Sequence, residues 1–140
     1  MASNLSYGPQ AVTEGLVLCL DANNAKSYPG AGTTWRDLSG KGNDGTLVHA
    51  PVLGADSSTS GSYFDFDGTN DYITISNTAA SGLRIENPGS ATSGIWVRVD
   101  DATDTNGIMG PWSSSGNAGW GIVGNYGGGV RPIASDGQDG

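Results

Sequence analysis

Helix-forming residues are scarce in this chain of 140 residues. Its only glutamates are Glu14 and Glu86 and its only lysines are Lys26 and Lys41, whereas glycine occurs 24 times. Glu and Lys favour helices, and glycine weakens them. The sequence therefore predicts one domain of short strands joined by many turns, with almost no helix.

Positive charge is also scarce. The chain has six Lys and Arg against 14 Asp and Glu, which gives a net charge of −8 and a pI of about 4.1. A phosphate backbone would be repelled by this charge. The few basic residues are scattered and form no patch that could hold an anionic membrane surface. Nucleic acid is therefore excluded from the expected partners.

Long hydrophobic runs are missing as well. No run approaches the ~20 apolar residues of a membrane-spanning helix, so we expect no membrane insertion. Met1 is followed by Ala2 and the polar residues Ser3 and Asn4, without the basic start and apolar centre of a secretory signal. The sequence predicts synthesis in the cytoplasm without export.

A single cysteine and a single histidine limit the chemistry. Cys19 lies in an apolar run and has no second cysteine to pair with, so we expect a buried, unreactive thiol. His49 is the only histidine available as a base for a Ser or Cys nucleophile, and its neighbour Pro51 suggests a strand end. No nucleophile elbow, phosphate-binding loop or zinc motif is present.

The sequence does contain a series of short β-prone segments. The apolar run 15–21 predicts a strand buried on both faces, and 46–48 predicts a second strand. Residues 63–66 and 72–75 alternate with period two around a turn, which predicts a β-hairpin. Further candidates are 95–99, 107–111, 119–123 and 130–133. About eight short strands imply an all-β, antiparallel β-sandwich.

Turn-forming residues separate these segments and mark the ends of the domain. Residues 23–34 and 56–62 are predicted loops, the second exposed and mobile. Residues 1–14 are interpreted as an N-terminal arm and 135–140 as a polar tail. The folded domain is therefore expected over 15–134.

Two Gly/Asn/Asp-rich corners, 37–45 and 67–71, lead into strands. At the first, oxygen-bearing side chains suited to Ca²⁺ occur close together, namely Asp37, Ser39, Asn43 and Asp44. The spacing is not that of an EF-hand loop. An alternative is that Asp37 and Asn43 hydrogen-bond the backbone of their own turn. The sequence leaves both interpretations open, with Ca²⁺ as the only cofactor it suggests.

Catalytic and sugar-binding interpretations rest on few residues. Asp65 and Asp67 could form a carboxylate pair for glycoside hydrolysis, but Asp67 is also the turn residue of its corner. We therefore assign no catalytic residue. Trp112, Trp120 and Tyr126 lie in or beside Gly/Ser/Asn-rich segments, where they could stack on a glycan or pack in the core.

Five segments of the chain, taken in order, resemble a known family. They are GLVLCLDA (15–22), SYPG (27–30), TWRDLSG (34–40), GNDGTL (42–47) and FDGTNDYI (66–73). Together they are similar to the concanavalin A-like, laminin G-like jelly-roll domains, and most of all to those in virion structural proteins of tailed phages, particularly marine ones. The resemblance runs from about residue 15 to 125.

The resemblance implies a jelly roll of two stacked antiparallel sheets with binding rather than catalysis as its role. The glucanase branch of this family has a Glu-x-Asp-x-x-Glu strand, which this sequence lacks. We therefore expect a virion component, either a capsid decoration protein or a tail- or fibre-associated protein. Its expected partners are other virion proteins and copies of itself. A first alternative is a carbohydrate-binding module or adhesin for a host-surface glycan. A second alternative is a glycoside hydrolase.

Family members are usually longer, and the closing strands expected after Asn125 are largely missing. Either the chain is trimmed or neighbouring subunits complete the fold. In the second case the open sheet edges would favour assembly into a particle.

Overall fold

The computed structural model describes residues 13–56, 61–76, 82–83, 92–98, 106–110, 120–124 and 131–134. These residues form eight strands and no helix, and every strand pair is antiparallel. The predicted all-β class is therefore confirmed for the described residues. The chain divides into two compact units, residues 1–83 and 84–140. A single domain over 15–134 and a jelly roll remain predictions.

The first unit contains a three-stranded sheet in the order β1-β2-β5. Its strands are β1 (Thr34–Trp35), β2 (Gly45–Val48) and β5 (Tyr72–Ile75). Side chains alternate across the sheet, so that Gly45 and Leu47 are buried while Thr46 is exposed. The predicted strand 46–48 is confirmed within β2.

Among the described residues of the first unit, the rest of the β-structure is a two-stranded sheet, the β3–β4 hairpin. It pairs β3 (Val52–Asp56) with β4 (Gly61–Asp65). From β4, the ring of Phe64 meets Trp35 and Tyr28 edge-on, with ring centroids 4.8 and 4.9 Å apart. Such contacts add to the apolar burial of the rings. Aromatic packing therefore joins the hairpin to the three-stranded sheet.

The loop before β1 is held by buried polar contacts. Ser27 is completely buried and donates from Oγ to the carbonyl of Arg36 over 2.6 Å. The Arg36 N–H donates back to the Ser27 carbonyl over 2.8 Å. Tyr28 is 7 % exposed, and its hydroxyl donates to the carbonyl of Gly32 over 2.8 Å. Ser27 and Tyr28 of the SYPG segment are therefore part of the core. Residues 23–33 are a loop as predicted, whereas Thr34 begins β1.

The predicted hairpin of 63–66 with 72–75 is wrong. Strand β4 pairs with β3 and strand β5 pairs with β2, so the turn 67–71 carries the chain from one sheet to the other. Alternation identifies a strand but does not select its partner. Strand β3 was missed because Pro51 and Gly54 interrupt its pattern. Its hairpin also takes Asp56, Gly61 and Ser62 from the predicted loop 56–62, of which 57–60 lie outside the described residues.

Two further strand predictions fail. Residues 15–21 form no strand, because the N–H of Cys19 donates to a side chain and its carbonyl accepts from the turn N–H of Leu38. Residues 92–98 form no strand either, and Ile95, Trp96 and Val97 are 43, 102 and 49 % exposed. Val99 lies outside the described residues. A strand needs a neighbour with matching backbone groups, which alternation alone does not supply.

The second unit contains a sheet in the order β6-β7-β8. Its strands are β6 (Asn106–Met109), β7 (Trp120–Gly124) and β8 (Arg131–Ala134), with a register shift between Gly107 and Met109. The predicted strands 107–111, 119–123 and 130–133 are confirmed at residues 107–109, 120–123 and 131–133, whereas Gly110 lies beyond the end of β6.

Candidate functional site

The first corner, residues 37–45, is organised by the carboxylate of Asp37. Its Oδ1 accepts from the N–H groups of Cys19 and Ser39, both over 2.9 Å. Its Oδ2 accepts from the Ser39 hydroxyl over 2.6 Å and from the N–H of Asn43 over 3.1 Å. A carboxylate offers about four lone-pair sites, so this one is fully used. It joins the corner to a segment 18 residues away.

Asn43 and Asp44 complete the same corner. Asn43 is 6 % exposed, and its Nδ2 donates to the carbonyl of Val17 over 2.7 Å. Asp44 Oδ1 accepts from the N–H of Asp37 over 2.8 Å. The corner therefore holds the 16–20 segment at Val17 and Cys19 through two side-chain hydrogen bonds and the backbone bond from Leu38 to Cys19. These bonds replace the ladder that a neighbouring strand would supply.

The charge state of Asp37 follows from these contacts. Partial burial raises the pKa of Asp37, but hydrogen bonds from the Ser39 side chain and from the backbone of Ser39, Cys19 and Asn43 outweigh it, and the net pKa lies below 3.8. The carboxylate is therefore ionised at neutral pH, and its hydrogen bonds stabilise the folded chain.

The structure brings the four predicted calcium ligands together. However, the oxygens of Asp37 are occupied by N–H and O–H donors, and the amide of Asn43 presents its nitrogen to Val17. This arrangement favours the backbone-holding interpretation, and it does not fit a Ca²⁺ ligand set without the loss of these bonds. Among the described residues, no group of three or more His, Cys, Asp or Glu side chains is placed to hold a metal. Calcium binding remains a prediction.

The second corner, residues 67–71, is also organised by aspartate carboxylates that accept backbone N–H groups, but only from within the turn. Asp67 Oδ1 accepts from the N–H groups of Thr69, Asn70 and Asp71 over 2.8, 3.1 and 3.2 Å. Asp71 Oδ2 accepts from the N–H of Asp67 over 3.2 Å. All of these bonds span four residues or fewer. The second corner therefore makes its side-chain hydrogen bonds only within itself. It precedes β5, whereas the first corner precedes β2, and because these strands are antiparallel the two corners lie at opposite ends of the β2–β5 pair.

A second connection between the sheets runs beside this corner. His49 and Ala50 link β2 to β3 and have φ angles of 61° and 66°, a region that costs energy for residues other than glycine. The His49 ring centroid lies 5.9 Å from that of Tyr72. As predicted, His49 lies at a strand end, and it is exposed.

Of the candidate carboxylate pair Asp65 and Asp67, Asp67 is poorly suited to act as a general acid. Backbone hydrogen bonds from Thr69 and Asn70, with smaller contributions from Asp71 and the nearby charge of His49, lower the pKa of Asp67. A general acid at neutral pH needs the opposite shift. The Asp67 carboxylate therefore acts as a hydrogen-bond acceptor for the backbone of its turn.

Of the predicted glycan-binding residues, Trp112 and Tyr126 lie outside the described residues. Trp120 begins β7, and its side chain is likewise outside the description. The described aromatic side chain with the greatest exposure is Trp96, at 102 %. The sequence interpretation missed it because strand-like alternation placed it within a sheet.

Tyr63 was also missed. It lies opposite Gly54 in the β3–β4 hairpin and is 40 % exposed. A Cβ at Gly54 would come within 2.5 Å of the Tyr63 ring, so the ring lies over the glycine. This pairing depends on a strand partner that the sequence pattern does not reveal.

Comparison with known proteins adds no relative. No family model matches the chain, and no curated protein or solved structure is significantly similar to it. None of the described residues belongs to a helix long and apolar enough to span a membrane.

Proposed function

We propose that this chain is a non-enzymatic structural protein of a phage virion, either a capsid decoration protein or a tail- or fibre-associated protein. Its β-structure docks on the particle and presents loops outward. The observation that carries the proposal is the ordered series of five segments that resemble virion jelly-roll domains.

The geometry of the corners supports a structural role. Four of the five resembling segments meet in one network, since Asp37 contacts the 16–20 segment and Ser27 contacts β1 through Arg36. The residues that carry the resemblance therefore hold loops and strands in place. The lowered pKa values of Asp37 and Asp67 suit hydrogen-bond acceptors rather than proton donors.

The test is to locate the chain on particles. Virions purified by density gradient from the culture that carries this gene are analysed by mass spectrometry and electron microscopy. We expect the chain to co-purify at a fixed copy number and to account for surface density. Intact particles that lack both the chain and its density would overturn the proposal.

A second candidate function is carbohydrate binding, which the full exposure of Trp96 favours. Sugar rings stack on exposed aromatic faces. A glycan array with and without Ca²⁺ tests it, with Trp96→Ala as the variant that should lose binding and Leu38→Ala as the control. If no glycan binds under either condition, this candidate is removed.

A further inference from the structure

We propose that the outward face of the β3–β4 hairpin is a docking surface for a basic protein partner, one that presents Arg or Lys beside apolar side chains. This hairpin face is formed by Val52, Gly54, Tyr63 and Asp65. The inference rests on the proposed structural role in a particle and names the kind of partner that role requires.

The register of the hairpin places these residues on one face. Val52 lies opposite Asp65, and Gly54 lies opposite Tyr63. Residues two apart along a strand share a face, so all four are neighbours. The other face carries Phe64, which packs against Trp35 and Tyr28 in the core. The hairpin face is therefore the outward one.

The hairpin face combines the exposed side chains of Val52 and Tyr63 with the exposed carboxylate of Asp65. Val52 is 65 % exposed and Tyr63 is 40 % exposed, and Phe66, which directly follows the hairpin, is 45 % exposed. The Tyr63 ring lies over Gly54. Aromatic side chains of this kind are enriched in protein interfaces.

The charge of the surrounding chain selects the partner. Residues 42–83 contain five aspartates and no Lys or Arg, and three of the five lie in the hairpin strands or two residues after them, namely Asp56, Asp65 and Asp67. Asp65 is on the hairpin face and Asp67 follows it closely. Complementary charge steers association, and an aromatic ring also attracts a guanidinium group. A second copy of this chain carries the same net charge of −8 and therefore offers this face no opposite net charge.

The probe is a synthetic hexapeptide of alternating arginine and leucine, titrated into the ¹⁵N-labelled full chain, with a glutamate–leucine hexapeptide as its counterpart. We expect the arginine peptide to shift the amide signals of residues 52–54 and 63–65, and binding to weaken as salt is raised. The glutamate peptide should shift none of them. If the arginine peptide shifts no signal at millimolar concentration, or shifts signals throughout the chain equally, the proposal is overturned.

Paired variants test which side chains carry the binding. Asp65→Asn and Val52→Ser should each weaken peptide binding about threefold, and the double variant about tenfold. The matched controls are Glu14→Gln, which removes an exposed carboxylate elsewhere, and Leu38→Ser, which removes an exposed apolar side chain elsewhere. Both should bind as the original chain does. Equal losses in the controls would overturn the proposal.

Two other outcomes would also overturn it. One is that cellotetraose shifts the same amide signals while the arginine peptide does not, which would make the hairpin face a sugar-stacking surface. The other is that Val52→Ser converts an oligomer to a monomer in light scattering, which would make it a contact between copies. Neither measurement uses virions. The docking proposal can therefore be overturned while the virion role stands, and the virion role can be overturned while the docking proposal stands.

Discussion

At both corners the first aspartate accepts backbone N–H groups that follow it, and the last aspartate accepts the N–H of the first. At the first corner, however, Asp37 also reaches Cys19, and Asn43 reaches Val17, 26 residues away. At the second corner every such bond is local. Two similar turn sequences therefore differ in the range of their hydrogen bonds, because a distant segment of the chain packs beside the first corner.

Removing the central carboxylate should have the largest effect on this comparison. We expect Asp37→Ala to lower the free energy of unfolding by about 3 kcal/mol, because the partly buried N–H groups of Cys19 and Asn43 lose their acceptor. Asp67→Ala is the matched control and should cost clearly less, since water can reach its donors. Urea denaturation followed by tryptophan fluorescence measures both. Equal losses would mean that the long-range bonds of the first corner carry no weight.

The asparagines of the two corners give the next contrast. Asn43→Ala should cost about 1–2 kcal/mol, because the Val17 carbonyl loses a donor in a buried site. Asn70→Ala should change stability by less than about 0.5 kcal/mol, since its side chain is exposed. The same urea titration compares them. A costly Asn70→Ala would show that the second corner also depends on its side chains.

The glycines of the corners should instead behave alike. Gly42 and Gly68 have φ angles of 75° and 71°, and a Cβ would meet nothing within 4 Å at either. Only the left-handed backbone penalises a side chain there, so Gly42→Ala and Gly68→Ala should each cost about 1 kcal/mol. Thermal unfolding by circular dichroism checks the pair. A much larger loss at Gly42 would point to packing at the first corner beyond the hydrogen bonds described.

Acid should weaken the first corner by a smaller amount than Asp37→Ala, because protonation leaves both oxygens in place. The pKa of Asp37 in the folded chain is lowered from 3.8, so its stabilising contribution is present above that value and is lost as pH falls through the folded pKa. Urea midpoints from pH 5 to pH 2.5 should therefore fall less steeply in Asp37→Asn than in the original chain. If the fall of the urea midpoint with pH is unchanged by Asp37→Asn, the loss of stability in acid comes from other carboxylates.

Local pattern was a good guide to strands whose partners are near or whose sequence alternates. The strands of the second unit and β2 were predicted because short β-prone runs stand between turn residues. The partner of β4 was not predicted, because alternation in 63–66 and 72–75 is compatible with pairing to each other or to two other strands. Likewise, the corner at Asp37 was recognised as a turn with clustered oxygens, but its contacts with Cys19 and Val17, outside the turn, could not be foreseen from spacing.

The sequence by itself determined the β class, the positions of both turns and the acidic net charge, since these follow from composition and from neighbours along the chain. Only the tertiary structure decided that the turn 67–71 joins two sheets, that Asp37 holds the 16–20 segment, and that Tyr63 lies outward over Gly54. Each of these depends on contacts between residues distant in sequence, where burial and register choose among partners that local pattern leaves equivalent.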